Sequence, residues 1–130
     1  MASVNIVAIS VGSNIDPVNN IAKGQQMIAS HFTLLNVSEM IQTTPVGYVD
    51  QDDFINGAFL IETDLPIEKL QQSLYEIESA CNRVRTANKF GPRTLDLDIV
   101  VFNNKIVNND FHQRAFVRNA VLSLLPNLPI

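Results

Sequence analysis

One cysteine, Cys81, is all that the 130-residue chain contains, so no internal disulfide framework can staple it. With no Cys/His cluster either, it offers no zinc ligands. No stretch approaches the ~20 consecutive apolar residues of a membrane span. The start, Met1-Ala2-Ser3-Val4, lacks the charged flank and apolar run of a secretion signal. A soluble, cytoplasmic protein with no membrane partner is expected. A cationic surplus is missing too. There are 9 Lys+Arg against 13 Asp+Glu, a net charge of −4, which argues against a nucleic-acid partner because phosphate backbones bind to basic surfaces. Repeats, low-complexity tracts and linkers are absent. With 46% hydrophobic residues there is material for one core, and residues 1–130 read as a single domain. Nothing in the sequence speaks to oligomeric state.

The few cations are unevenly placed. Four of the nine, Arg83, Arg85, Lys89 and Arg93, fall between positions 83 and 93. Gly91-Pro92 then turns the chain into a strand, Leu95 to Phe102. Along it Leu95, Leu97 and Ile99 point one way and Asp96 and Asp98 the other. At ~3.3 Å rise per residue the two aspartates stand roughly 7 Å apart, close enough to converge on one hard cation or on two bridged by phosphate oxygens. Mg²⁺ is the natural candidate. Arg93 arrives beside them, where a guanidinium can hold a phosphate bidentately. An acidic strand face is also what ordinary solvation produces, and a basic loop often forms no more than surface ion pairs. Side by side, the two suggest polyphosphate chemistry.

Val4 to Val11 reads as a first, largely buried strand that runs into the Gly12-Ser13-Asn14 turn. Asp16 as N-cap and Pro17 at the first helical position open a helix to about Ser30, with Ile21, Met27 and Ile28 inward. A second strand is expected from Phe32 to Gln42, a loop from Thr43 to Gly47, and a third strand from Phe54 to Thr63. A helix from Pro66 to about Asn82 carries a buried stripe of Ile67, Leu70, Leu74, Ile77 and Cys81; Glu78 near its end, next to the basic loop, reads either as a residue that orients the loop's arginines or as an ordinary exposed helical glutamate. After the fourth strand, Asn103-Asn104-Lys105 turns the chain, and a last helix covers Arg114 to Leu124. The order β-α-β-β-α-β plus a C-terminal helix is that of an α+β ferredoxin-like sandwich, one antiparallel sheet with helices on one face.

Gly91-Pro92-Arg93-Thr94-Leu95-Asp96-Leu97-Asp98-Ile99 resembles the signature of the 6-hydroxymethyl-7,8-dihydropterin pyrophosphokinases, folate-pathway enzymes that move pyrophosphate from ATP to a pterin alcohol. Gly12-Ser13-Asn14, the Thr43 to Gly47 loop and the aromatic-x-Asn pair Phe54 and Asn56 are similar to that family as well, so the likeness runs through nearly the whole chain to Phe102. It implies ATP and a pterin as small-molecule partners and Mg²⁺ on Asp96 and Asp98. It implies Arg83 and Arg93 as catalytic cations and Arg85, Arg93, His112 and Arg114 as ATP contacts. Around the pterin it implies Thr43, Val46, Phe54, Asn56, Phe90 and Phe116. The chemistry agrees: a flat ring wants aromatic faces, and its amide edge wants a side-chain amide.

Beyond Phe102 the chain departs from the family. Arg114-Ala115-Phe116 matches the family's Arg-x-Phe, but the longer connection with a His-Pro pair is missing, and His112 is the nearest substitute for that histidine. Thr44 stands where the family often has proline, Lys89 where it often has arginine, and Phe90 where it often has tryptophan. These losses fall on the ATP side, so a weakened activity is expected. The alternative is a non-catalytic relative that binds ATP or pterin as a sensor or partner subunit, and a third reading is an interaction module without a ligand.

Overall fold

β1 (Asn5–Ser13) runs through the middle of a six-stranded sheet and is buried from Val7 to Ile9 and from Val11 to Ser13, which is why its sequence is apolar at successive positions rather than at alternate ones. The computed structural model describes residues 4–84 and 90–129. After β1 come α1 (Pro17–His31), β2 (Thr33–Val37), β3 (Ile41–Thr43), β4 (Phe54–Thr63) and α2 (Ile67–Ala80). Then follow β5 (Asp96–Phe102), β6 (Lys105–Ile106), α3 (Asp110–Gln113) and α4 (Ala115–Leu124). The strand order is β2-β4-β1-β5-β6, with β3 also on β4, and the pairings are antiparallel. With β2 and β3 taken together, this is the expected α+β order.

Period-two alternation sends the strands' side chains into two cores. Val7, Ile9 and Val11 of β1 join Phe59, Ile61, Leu97 and Ile99 beneath α1 and α2, where Ile21, Ile28, Leu70, Leu74 and Ile77 close the layer. Each such side chain contributes roughly 1.5–3 kcal/mol on burial. Ala8, Ala58, Leu60 and Val100 face the opposite way, under Phe111 of α3 and Val117, Val121 and Leu124 of α4. Helices on one face therefore describes α1 and α2 only, because the C-terminal helices cover the other side of the sheet.

Three local expectations need correction. Asp16 sits before Pro17 but makes no side-chain cap: its φ of 44° is left-handed, and its carboxylate accepts from Asn19 Nδ2 at 3.1 and 3.2 Å instead. The strand expected from Phe32 to Gln42 is two strands. Ser38 breaks it by using its hydroxyl as a strand partner, accepting from Ala58 N at 2.8 Å while Ser38 N donates to Ala58 O at 2.9 Å. Glu78 is not exposed. It is a buried residue of α2, 2% accessible.

Candidate active site

The register places Asp96 beside Gly12 and Asp98 beside Ser10 on β1, and places Gly12 beside Asn56 and Ser10 beside Ala58 on β4. Laterally paired residues share a sheet face, here the one that α4 covers. α4 shields Ala8, Ala58 and Leu60 but leaves the ends of these three strands uncovered, and the floor there is made of small residues. A cavity of about 270 Å³ opens above it. Thr43, Val46, Phe54, Asn56, Phe90 and Phe116 all line it, as do Arg93 and Arg114. The aromatic and amide residues singled out for a pterin thus converge on one hollow, from β3, β4, the 44–53 loop, the Gly-Pro turn and α4.

Close packing fixes the hollow's walls. Asn56 Nδ2 donates to Thr43 Oγ1, and its Oδ1 lies across Gly12, where a Cβ would sit 2.6 Å from it. A side chain there would have to push the Asn56 amide aside. Gly47, at φ +87°, brings its loop against the Phe90 ring, 2.8 Å from the position of an added Cβ. The guanidinium carbon of Arg93 lies 5.7 Å from the Phe54 ring centroid, a cation–π arrangement. Asn14, 6% exposed, ties these parts together. Its Oδ1 accepts Arg93 N at 2.8 Å, and its Nδ2 donates to Gln51 Oε1 at 2.8 Å and Asp52 O at 2.9 Å.

On β5 Asp96 meets two arginines, one of which also pairs with a buried glutamate. Arg83 Nη1 lies 2.9 Å from Asp96 Oδ1 and 2.9 Å from Glu78 Oε2, and Arg93 Nη1 lies 3.6 Å from Asp96 Oδ2. Glu78 Oε2 also accepts Leu97 N, from the residue between the two aspartates, at 2.8 Å. Desolvation pushes Asp98 up to about 7, assisted by the charges of Asp96 and Glu78 and, last, Asp110. A divalent cation would relieve this concentration of negative charge. Among the described residues no group of three or more His, Cys, Asp or Glu could hold a metal, so a cation here would have two carboxylates from the protein and would need ligand oxygens and water besides. Mg²⁺ characteristically binds that way.

Arg85 lies outside the described residues, as does Lys89. His112 is exposed and stands outside the cavity lining, its ring packed edge-on against Phe111 with centroids 5.4 Å apart. Sequence reasoning missed Asn14, Ser10 and Asp110, and it placed Glu78 beside the arginines, where it pairs with Arg83, without placing it in the interior. Glu78 carried a signal, because it follows Leu74 by four residues and so lies on the buried stripe of α2. Asp110, which lines the cavity and pairs with Arg114 through Oδ1 and Nε at 3.3 Å, carried none.

Residues 8–126 match the family model described as 7,8-dihydro-6-hydroxymethylpterin-pyrophosphokinase (HPPK). A 2-amino-4-hydroxy-6-hydroxymethyldihydropteridine pyrophosphokinase of Haemophilus influenzae is 37% identical over 120 residues, covering 84% of this chain and 74% of the relative. A protein of the same name from Bacillus subtilis is 35% identical over 131 residues, 95% of this chain and 78% of its own length. The folic acid synthesis protein FOL1 of Dictyostelium discoideum is 31% identical over 135 residues, which make up 97% of this chain and 20% of that protein.

Proposed function

Because the chain belongs to the 7,8-dihydro-6-hydroxymethylpterin-pyrophosphokinase family, we propose that residues 1–130 act as one catalytic domain that transfers pyrophosphate from ATP to the hydroxymethyl group of a reduced pterin. The observation that carries this reading is the common sheet face. A ring-sized hollow walled by Phe54, Phe90, Phe116 and Asn56 adjoins the strand that bears Asp96 and Asp98. At about 270 Å³ the hollow lies just below the ~300–1,000 Å³ of most ligand sites, room for one bicyclic ring and the near end of a phosphate chain, with the adenosine outside. The triphosphate then lies across the uncovered strand ends, above Ser10 and Gly12, with its chain directed at the aspartates.

In the reaction the pterin hydroxyl oxygen attacks the β-phosphorus, the bond from that phosphorus to the oxygen shared with the α-phosphate breaks, and AMP leaves. Catalysis of this kind is mostly positioning and charge stabilisation. Phe54 and Phe116 stack the ring, and Asn56 with Thr43 reads its polar edge. Arg93, at the seam between hollow and β5, meets charge developing on the transferred group, and Arg83 and Arg114 approach the phosphates from either side. Asp96 and Asp98 would hold Mg²⁺, which would supply charge neutralisation to the phosphates. Arg83 is held by Glu78 and Asp96, which fixes its guanidinium at the aspartate end of the site.

The test is to mix the protein with ATP, Mg²⁺ and 6-hydroxymethyl-7,8-dihydropterin and to look for AMP. Pterin-dependent AMP is the expected result. Pterin binding without AMP would favour the sensor, since the departures from the family fall on the nucleotide side, and binding of neither ligand would sink both readings.

A further inference from the structure

Asp110 is an anion inside a cavity that, on the function proposed above, has to admit a polyphosphate. α3 sets it there firmly. Phe111 is buried at 2% exposure in the core under α4, Asn108 Oδ1 accepts Asp110 N at 2.9 Å, and Arg118 Nη1 donates to the carbonyls of Phe111 and His112 at 3.3 and 3.4 Å. The Asp110 carboxylate meets Arg114 through Nε alone, at 3.3 Å, with side-chain exposures of 35% and 24%. A strong charge-assisted bond measures ~2.7–2.9 Å, so this contact is long, partly hydrated and easily exchanged. The Nη atoms of Arg114 have no hydrogen-bond partner among the described residues. A phosphate can take both of them as a fork, but it must then lie beside a carboxylate that repels it.

We propose that Asp110 is a specificity-determining residue, an internal anion that occupies Arg114 until a ligand phosphate displaces it and that thereby weakens the site for polyphosphate. It rests on ATP being a ligand of this cavity. The carboxylate sets a threshold: a single phosphate gains too little at Arg114 to outweigh the repulsion, whereas a chain that also engages Arg93 and β5 does. Removing the charge strengthens binding, the opposite of what loss of an ordinary contact does.

Titration calorimetry on the full chain with ATP plus Mg²⁺, ATP plus EDTA, and inorganic tripolyphosphate tests this. Asp110→Asn, which keeps the shape and an acceptor for Arg114 Nε, is expected to raise affinity for each by roughly two- to fivefold, and Asp110→Ser serves if the first variant folds poorly. In an Arg114→Ala background the same change is expected to bring no gain. Weaker binding by Asp110→Asn would overturn the proposal and make the residue a support for Arg114. An undiminished gain without Arg114 would overturn it as well, reducing the effect to overall charge. Failure of the parent protein to bind ATP in any condition would strike the proposed function itself.

Discussion

Glu78 holds two parts of the site with one oxygen. Its Oε2 receives the Leu97 amide and the Arg83 guanidinium from a position 2% exposed. Glu78→Ala would leave a buried amide and a poorly hydrated cation unpaired. The expected cost is about 3–5 kcal/mol, read as a lower urea midpoint at unchanged slope. Glu78→Gln, which keeps an acceptor oxygen, is expected to lose less than half of that. Equal stability of the alanine variant and the parent would mean that water takes over both bonds. Much of this was legible in the sequence. The spacing from Leu74 marks Glu78 as inward-facing, and the Asp-x-Asp alternation correctly put Asp96 and Asp98 on one face. What spacing could not convey is that α2 and β5 meet at Leu97, since that contact joins residues 19 positions apart.

Among the elements, β4 begins and ends where the sequence analysis expects a strand, at Phe54 and Thr63. The helices α1 and α2 likewise follow their apolar stripes. The division of β2 from β3 was hidden because it depends on one serine, whose hydroxyl stands in for a backbone acceptor opposite Ala58. Ser38→Ala is therefore expected to destabilise the protein by about 1–3 kcal/mol, the cost of an unpaired buried amide, and to bring faster hydrogen exchange at Ala58. Unaltered exchange there would show that the hydroxyl is dispensable. The break between α3 and α4 had no signal either. Arg114 adopts an extended conformation, φ −125° and ψ 110°, in a stretch where several good helix formers follow one another. Its reason is tertiary, since Phe111 and Val117 enter the same core from either side of the break.

For the molecule as a whole, the placing of the site on the α4 face gives stability a pH dependence. Asp98 has its pKa raised from 3.8 to about 7, by desolvation first and neighbouring carboxylates second. A carboxyl raised in the folded state favours folding while it is protonated. That contribution is complete below pH 3.8, declines as pH rises, and is gone once pH has passed about 7. In EDTA the parent is expected to lose stability relative to Asp98→Asn across this window, by at most about 4 kcal/mol. Urea midpoints of the two proteins at several pH values measure it. Midpoints that move in parallel would remove Asp98 from this role. Mg²⁺ is expected to flatten the parent's profile.

The strand order also governs when the site can come into being. β1 leaves the ribosome before the other elements of this domain, yet its neighbours in the sheet are residues 54–63 and 96–102. Asn103 locks the later neighbour in place, accepting Ile6 N through its side chain at 2.9 Å and donating its own amide to Ile6 O at 2.9 Å. Contacts spanning so much of the chain close slowly. Ser10 and Gly12 therefore wait until β5 has been made for the aspartates that will stand beside them, and β1 emerges as an apolar segment with both edges unpaired. During that interval the nascent chain, rather than the finished protein, is the form most exposed to aggregation and most in need of a chaperone.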